Sequence, residues 1–195
     1  MSEIRRELLQ SVVEVARAIF LAEAASVAVL DPETDRFVFA AVAGAGSDDL
    51  VGTGFAAGQG LAGTVAQSGE PLIVDDLAND TRFARAVAER SGYVPNAMMV
   101  ASLLRGEDTL GVLSVLDRGT TGRRPLQELE LLQRFADQAA IALEATSSAV
   151  PVAPSVVAAL EQRLRSVPDA RRRSAEHLLA ALEELLAPDS DDLER

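Results

Sequence analysis

Apolar residues recur every three or four positions at the start of the chain. Ile4, Leu8, Val12, Val15 and Ile19 form one row, and Leu9, Val13, Ala16 and Phe20 form a second beside it. This spacing predicts an amphipathic helix over residues 3–22 whose apolar surface is broad enough for both a sheet and a partner helix. Ser2 is a residue type that caps such a helix. The period then shortens. Residues 25–30 and 36–43 read as strands, joined across residues 31–35, where Asp and Pro favour a turn. Residues 44–59 are a glycine-rich loop, 61–67 a helix closed by Gly69 as a left-handed cap, 72–74 a short strand, and 81–90 a helix ending before Gly92. Residues 97–104 and 110–116 form a hairpin around residues 105–108. Pro125 opens a further helix at a position where its missing N–H does no harm. The apolar stripe of that helix is Leu126, Leu129, Leu132, Phe135, Ala136, Ala139, Ala140 and Leu143.

The order helix, two strands, excursion, two strands, helix predicts an α+β fold. A central antiparallel sheet carries the N- and C-terminal helices on one face, and the excursion over residues 44–95 covers the other as a lid. Residues 1–147 make this domain. Residues 148–155 read as a linker from their Ser, Ala and Pro content. Residues 156–195 read as a helical hairpin with an acidic, disordered end, its apolar sides marked by Val157, Leu160 and Leu164 and by Leu178, Leu179, Leu182, Leu185 and Leu186. Two helices of that length bury little core alone, so the hairpin is expected to dock on something.

Composition removes several function classes. The net charge of −12 opposes general affinity for nucleic acid or an anionic membrane. All 18 basic residues are arginine, and the run at residues 171–173 reads either as a site for an acidic partner or as the solvated face at a helix start. There is no cysteine, which excludes a thiol nucleophile, a disulfide and a thiolate metal site. The single histidine, His177, lies in the tail, so no metal centre, haem ligand or Ser–His–Asp arrangement is expected within residues 1–147. No apolar run approaches the roughly 20 residues of a membrane-spanning helix, and the first residues lack a signal-like apolar core, so the expected location is the cytoplasm.

The densest motif is Gly58-x-Gly60-x-x-Gly63, followed by Asp75 and Asp76. Taken alone it matches a dinucleotide-binding fingerprint. That fingerprint requires a buried parallel strand running into the first glycine, whereas residues 51–57 are broken by Gly52 and Gly54. A nicotinamide-dependent oxidoreductase therefore ranks behind the other readings.

A longer series of motifs fits better. Gly60-Leu-Ala-Gly63-Thr-Val-Ala-Gln-Ser-Gly69, then Glu-Pro71-Leu-Ile-Val-Asp75-Asp76, Asp80-x-Arg82-Phe83, Gly92-Tyr93, Asn96-Ala-Met-Met-Val and Leu110-Gly-Val-Leu-Ser-Val115 together resemble the GAF domain family over residues 3–146. The resemblance implies a small-molecule sensing or dimer-forming module, not an enzyme, that modulates an output partner. One departure is Ser102, where many members carry proline. The cysteine-dependent subtypes, covalent bilin carriers and methionine sulfoxide reductases, are excluded by composition. Haem-binding members need an axial ligand that the region lacks. Here Asn79 is followed by Asp80 and Phe83 by Ala-Arg-Ala-Val, so the Asn-Lys…Phe…Asp-Glu signature of cyclic-nucleotide binders is missing.

The resemblance also implies a ligand cavity between sheet and lid, with candidate residues Gly60, Leu61, Ala62, Asp76, Arg82, Phe83, Tyr93 and Met98. The amides of Leu61 and Ala62 at a helix start suit an acceptor group, or simply meet water in a tight turn. Phe83 and Tyr93 either stack on a flat ligand or plug the cavity. Arg82 either pairs with an anionic ligand or with Asp80 or Asp76, and Asp76 either accepts from a ligand or caps the following turn. Met98 is an adaptable wall residue or plain core. The expected partners are a second copy of the chain through the terminal helices, an unidentified small molecule and a signalling protein. A ligand-free structural dimer is the competing reading.

Overall fold

A computed structural model of the protein describes residues 3–46 and 50–147, with side chains through residue 145. The expectations for Ser2, the linker, the C-terminal hairpin, His177, residues 171–173 and the acidic tail lie outside these residues. The elements are α1 (Glu3–Ile19), β1 (Ala24–Asp31), β2 (Arg36–Gly44), β3 (Gly54–Ala56), α2 (Gly60–Ser68), β4 (Leu72–Val74), α3 (Arg85–Arg90), β5 (Met98–Arg105), β6 (Asp108–Leu116) and α4 (Pro125–Ser147).

The six strands form one antiparallel sheet in the order β3-β2-β1-β6-β5-β4. Each central strand is apolar on both sides because both sides are covered. Ala25, Val27, Met99, Ala101, Leu103, Leu113 and Val115 face α1 and α4, where they meet Leu9, Val13, Phe20, Leu132 and Ala136. Ala28, Val100 and Val112 face the opposite way, toward Leu61, Ala62, Val65 and Leu77 of the lid. The predicted α+β layering is therefore the observed one. None of the described helices is long and apolar enough to cross a membrane.

Local outcomes differ from the pattern in four places. α1 stops at Ile19 instead of 22, because Leu21 turns left-handed at φ 50°. Its N–H reaches Ala18 O at 3.2 Å and the Ala22 N–H reaches Arg17 O at 2.9 Å, the double closure of a helix C-terminus that usually employs glycine. The loop after β6 holds that turn, with Gly119 N–H bonded to Phe20 O and Leu21 O. Within the loop expected over 44–59, residues 54–56 pair antiparallel with β2 as an edge strand. This excludes the buried parallel strand that a dinucleotide site needs. The helix expected over 81–90 begins only at Arg85, since the Asp80 carboxylate takes the Arg82 N–H at 2.9 Å and winds residues 80–83 into a turn.

The fourth difference is in α4. Gln127 Oε1 accepts the Arg124 N–H at 3.1 Å, so the helix start is capped, with Pro125 in the first position. Leu126, expected on the apolar stripe, is exposed, and Glu128 turns inward instead. Glu128 is buried because Arg118 Nε (2.8 Å) and Thr121 Oγ1 (2.6 Å) satisfy it, while Arg118 also reaches Asp75 at 2.6 Å. A charge is buried here only because it is paired and hydrogen-bonded.

Candidate functional site

The lid is held down at one end and spans a void at the other. At the C-terminal end of α2, Gly69 caps the helix at φ 74°, and its N–H bonds Val65 O at 2.8 Å. Ser102 Oγ donates to the same carbonyl at 2.8 Å and Thr109 Oγ1 to Ala66 O at 3.0 Å, tying the helix to β5 and β6. At the N-terminal end, Gln59 is extended and provides no side-chain cap. Below that end lies a cavity of about 100 Å³. Its floor is Ser26, Ala28, Phe39, Met98, Val112, Ser114 and Leu116 on the sheet, and its roof includes Gly60, Leu61, Ala62, Phe83, Val87 and Tyr93.

The glycine motif has a packing explanation. Gly60 sits at φ 75°, a conformation that L side chains rarely adopt. A Cβ on Gly63 would lie 2.4 Å from the Gly58 carbonyl carbon and 2.8 Å from Ala57 O. The first turn of α2 thus rests directly on the preceding turn, and this contact aims the helix start at the cavity.

Of the eight sequence-derived candidates, Gly60, Leu61, Ala62, Phe83, Tyr93 and Met98 line the cavity. Asp76 and Arg82 do not. Asp76 is exposed and accepts from Asn79 N (3.3 Å) and Nδ2 (2.7 Å), so it caps its own turn. Arg82 grips Asp80 through Nε (3.0 Å) and the terminal nitrogen (2.6 Å), which holds the Asp80 carboxyl below its usual range. Arg82 instead borders a separate surface depression with Gly58, Thr64 and Thr81. Met99, next to Met98, points the opposite way into the helix-side core.

Tyr93 contributes its ring, since its hydroxyl donates to Asp117. Asp117 also accepts the backbone N–H of Asn96 (2.9 Å) and Ala97 (2.8 Å), fixing the entry to β5. Burial, reinforced by the Asp117 carboxylate, pushes the Tyr93 phenol well above its ordinary pKa. Among the described residues no other ionisable side chain lines the cavity. No group of three or more His, Asp or Glu residues able to hold a metal occurs among them either.

Sequence reasoning missed two residues. Ser26 and Ser114 stand directly opposite each other on β1 and β6 and are 8% and 6% exposed. Both line the cavity, and neither hydroxyl has a hydrogen-bond partner among the described residues. The signal was a serine at a lid-facing position in each of two otherwise apolar strands. Serine in a strand is unremarkable until pairing sets two together. Among the described residues no acid or histidine stands beside them in the cavity lining, and so none there offers a base to activate either hydroxyl as a nucleophile.

The GAF domain model matches residues 5–143. No curated protein sequence matches the chain closely enough to count as a relative. Several solved structures share the fold. The GAF domain of a phosphoenolpyruvate-protein phosphotransferase from Coxiella burnetii superposes with a TM-score of 0.67 at 18% identity, covering 75% of this chain and 86% of that one. The GAF-B domain of DevS from Mycobacterium smegmatis gives 0.57 at 23% identity, over 74% and 96%. Free methionine-R-sulfoxide reductase from Neisseria meningitidis, solved with its substrate, gives 0.62 at 19%, over 75% and 81%.

Proposed function

The chain belongs to the GAF domain family, and from that premise we propose that it is a cytoplasmic, non-catalytic sensor module of signal transduction. It binds a small molecule under the lid, dimerises through its terminal helices and modulates a partner protein. The observation that carries this reading is the cavity with two buried, unpartnered hydroxyls. The two hydroxyls open into the void, where an occupant can take the place of water on them. A catalytic role is disfavoured: with no cysteine, thiol redox chemistry is impossible, and among the described residues no base stands beside the serines.

The route from ligand to dimer is short. α2 is bonded to Ser102, whose carbonyl accepts from Gln133 Nε2 of α4 at 3.2 Å. A ligand that lifts the start of α2 therefore pulls on a terminal helix. A coupling of about 1–3 kcal/mol between the two sites is enough for regulation.

One observation favours the ligand-free alternative: the cavity, at about 100 Å³, is below the roughly 300 Å³ of typical ligand pockets. A thermal-shift screen of the full chain against nucleotides, amino acids, aromatic compounds and acyl compounds separates the readings. A ligand at a hundred times its Kd stabilises by about 2.7 kcal/mol, so a true occupant raises the melting temperature. A screen without any shift removes the sensor reading and leaves a structural dimer.

A further inference from the structure

Resting on the sensor reading, we propose that the cavity takes a small, neutral, largely apolar molecule carrying one hydroxyl or carbonyl group, read by the Ser26–Ser114 pair. Size is the first argument. A dry cavity of about 150 Å³ accommodates benzene, so the space here, about 100 Å³, suits about four non-hydrogen atoms as it stands and a ring compound of about seven only when the roof moves outward. A nucleotide, several times larger, does not fit beneath α2.

Charge is the second argument. Among the described residues the cavity lining contains no arginine, aspartate or glutamate, and Arg82 is engaged with Asp80 outside it. The one ionisable side chain in the lining among the described residues, Tyr93, directs its hydroxyl to Asp117. An ionised ligand would lose its hydration without gaining a counter-ion. The uncapped start of α2 presents only about half an elementary charge, too little to hold a full anion against that loss.

The serine pair is the third argument. Each hydroxyl carries a donor and two acceptor sites, and both side chains are more than nine-tenths buried without a partner among the described residues. Their oxygens are not sealed away, since among the described residues the one fully enclosed side-chain polar atom lacking a partner is Gln133 Oε1. A ligand hydroxyl placed between β1 and β6 can donate to one serine and accept from the other. Its apolar body then lies against Met98 and Val112 below and Phe83 and Val87 above.

The test is calorimetric titration and thermal shift of the full chain with phenol, cyclohexanol, benzene, benzoate and cyclic AMP. Phenol or cyclohexanol should bind, about tenfold more tightly than benzene if hydrogen bonds to the serines are made, while benzoate and cyclic AMP should not bind. The double variant Ser26→Ala/Ser114→Ala should melt no lower than the parent, because neither hydroxyl bonds another described residue, and should no longer prefer the alcohols to benzene. Ala28→Val, which fills the cavity from its floor, should abolish the response to every neutral probe and serves if the double variant misfolds. Tighter binding of benzoate or cyclic AMP overturns this ligand class and leaves the sensor reading intact. An undiminished preference for the alcohols in the double variant overturns the role of the serines. Silence from all five probes overturns the ligand class; only silence from the wider screen as well removes the sensor reading.

Discussion

Gly63 has room for a hydrogen and nothing more. Because a Cβ there would lie 2.4 Å from backbone, Gly63→Ala should lower unfolding free energy by about 1–3 kcal/mol. Gly58→Ala, whose nearest neighbour is the end of the Gln67 side chain at 3.7 Å, should stay within about 0.5 kcal/mol. Urea denaturation of the two variants distinguishes a packing motif from a phosphate-binding one, since a fingerprint would make both glycines matter to ligand. Tyr93 offers a second test, as it is the chain's single tyrosine, with no tryptophan, lysine or cysteine to confuse the signal. Its phenol titrates near 10 when unfolded and higher when folded. The folded state therefore holds its proton longer, so stability is complete below about pH 10 and falls as pH rises beyond it. Alkaline denaturation followed by circular dichroism should show this decline, with the phenolate absorbance marking the titration in the parent, and Tyr93→Phe should remove it. Six cavity-lining candidates were legible through the motif series that resembles the family, with Gly60, Phe83 and Tyr93 as its distinctive points and Leu61, Ala62 and Met98 carried along beside them. Ser26 and Ser114 were not, because their meaning arises from a cross-strand register.

At the scale of elements, most boundaries followed from periodicity, and the exceptions share one cause. Leu21 turning left-handed, Asp80 capturing the Arg82 amide and Glu128 replacing Leu126 on the inner face all involve a polar or backbone partner distant along the chain or invisible to a hydrophobic pattern. Glu128→Ala strands Arg118 beside Asp75 alone and should cost about 2 kcal/mol, with Glu128→Gln costing less, both measured by chemical denaturation. Ser102→Ala removes a bond to the Val65 carbonyl, which retains the Gly69 amide. It should cost about 1 kcal/mol, with hydrogen exchange accelerating most in α2. The same position shows why the departure from proline noted at Ser102 is tolerable: here a serine ties the lid helix to the sheet.

At the scale of the whole molecule, the outer row of α1 stands open among the described residues. Ile4, Leu8, Val15 and Ile19 are 66, 42, 44 and 37% exposed, and Leu126 and Ile141 of α4 are exposed as well. If these helices form the dimer, Leu8→Glu/Val15→Glu in the full chain should sediment as a monomer with little change in melting of the domain itself. A variant that sediments like the parent would remove the α1-mediated dimer. By itself the sequence determined the layering: alternation on strands that are apolar on both faces demands cover on both sides, and two long amphipathic helices with one glycine-punctuated excursion are the segments available to supply it. Only the tertiary structure decided what the excursion encloses. Whether Arg82 faces a ligand or Asp80, and whether two serines 88 positions apart meet, depends on strand register and turn geometry. Those are set by packing and hydrogen bonds between residues far apart along the chain, which a one-dimensional pattern does not encode.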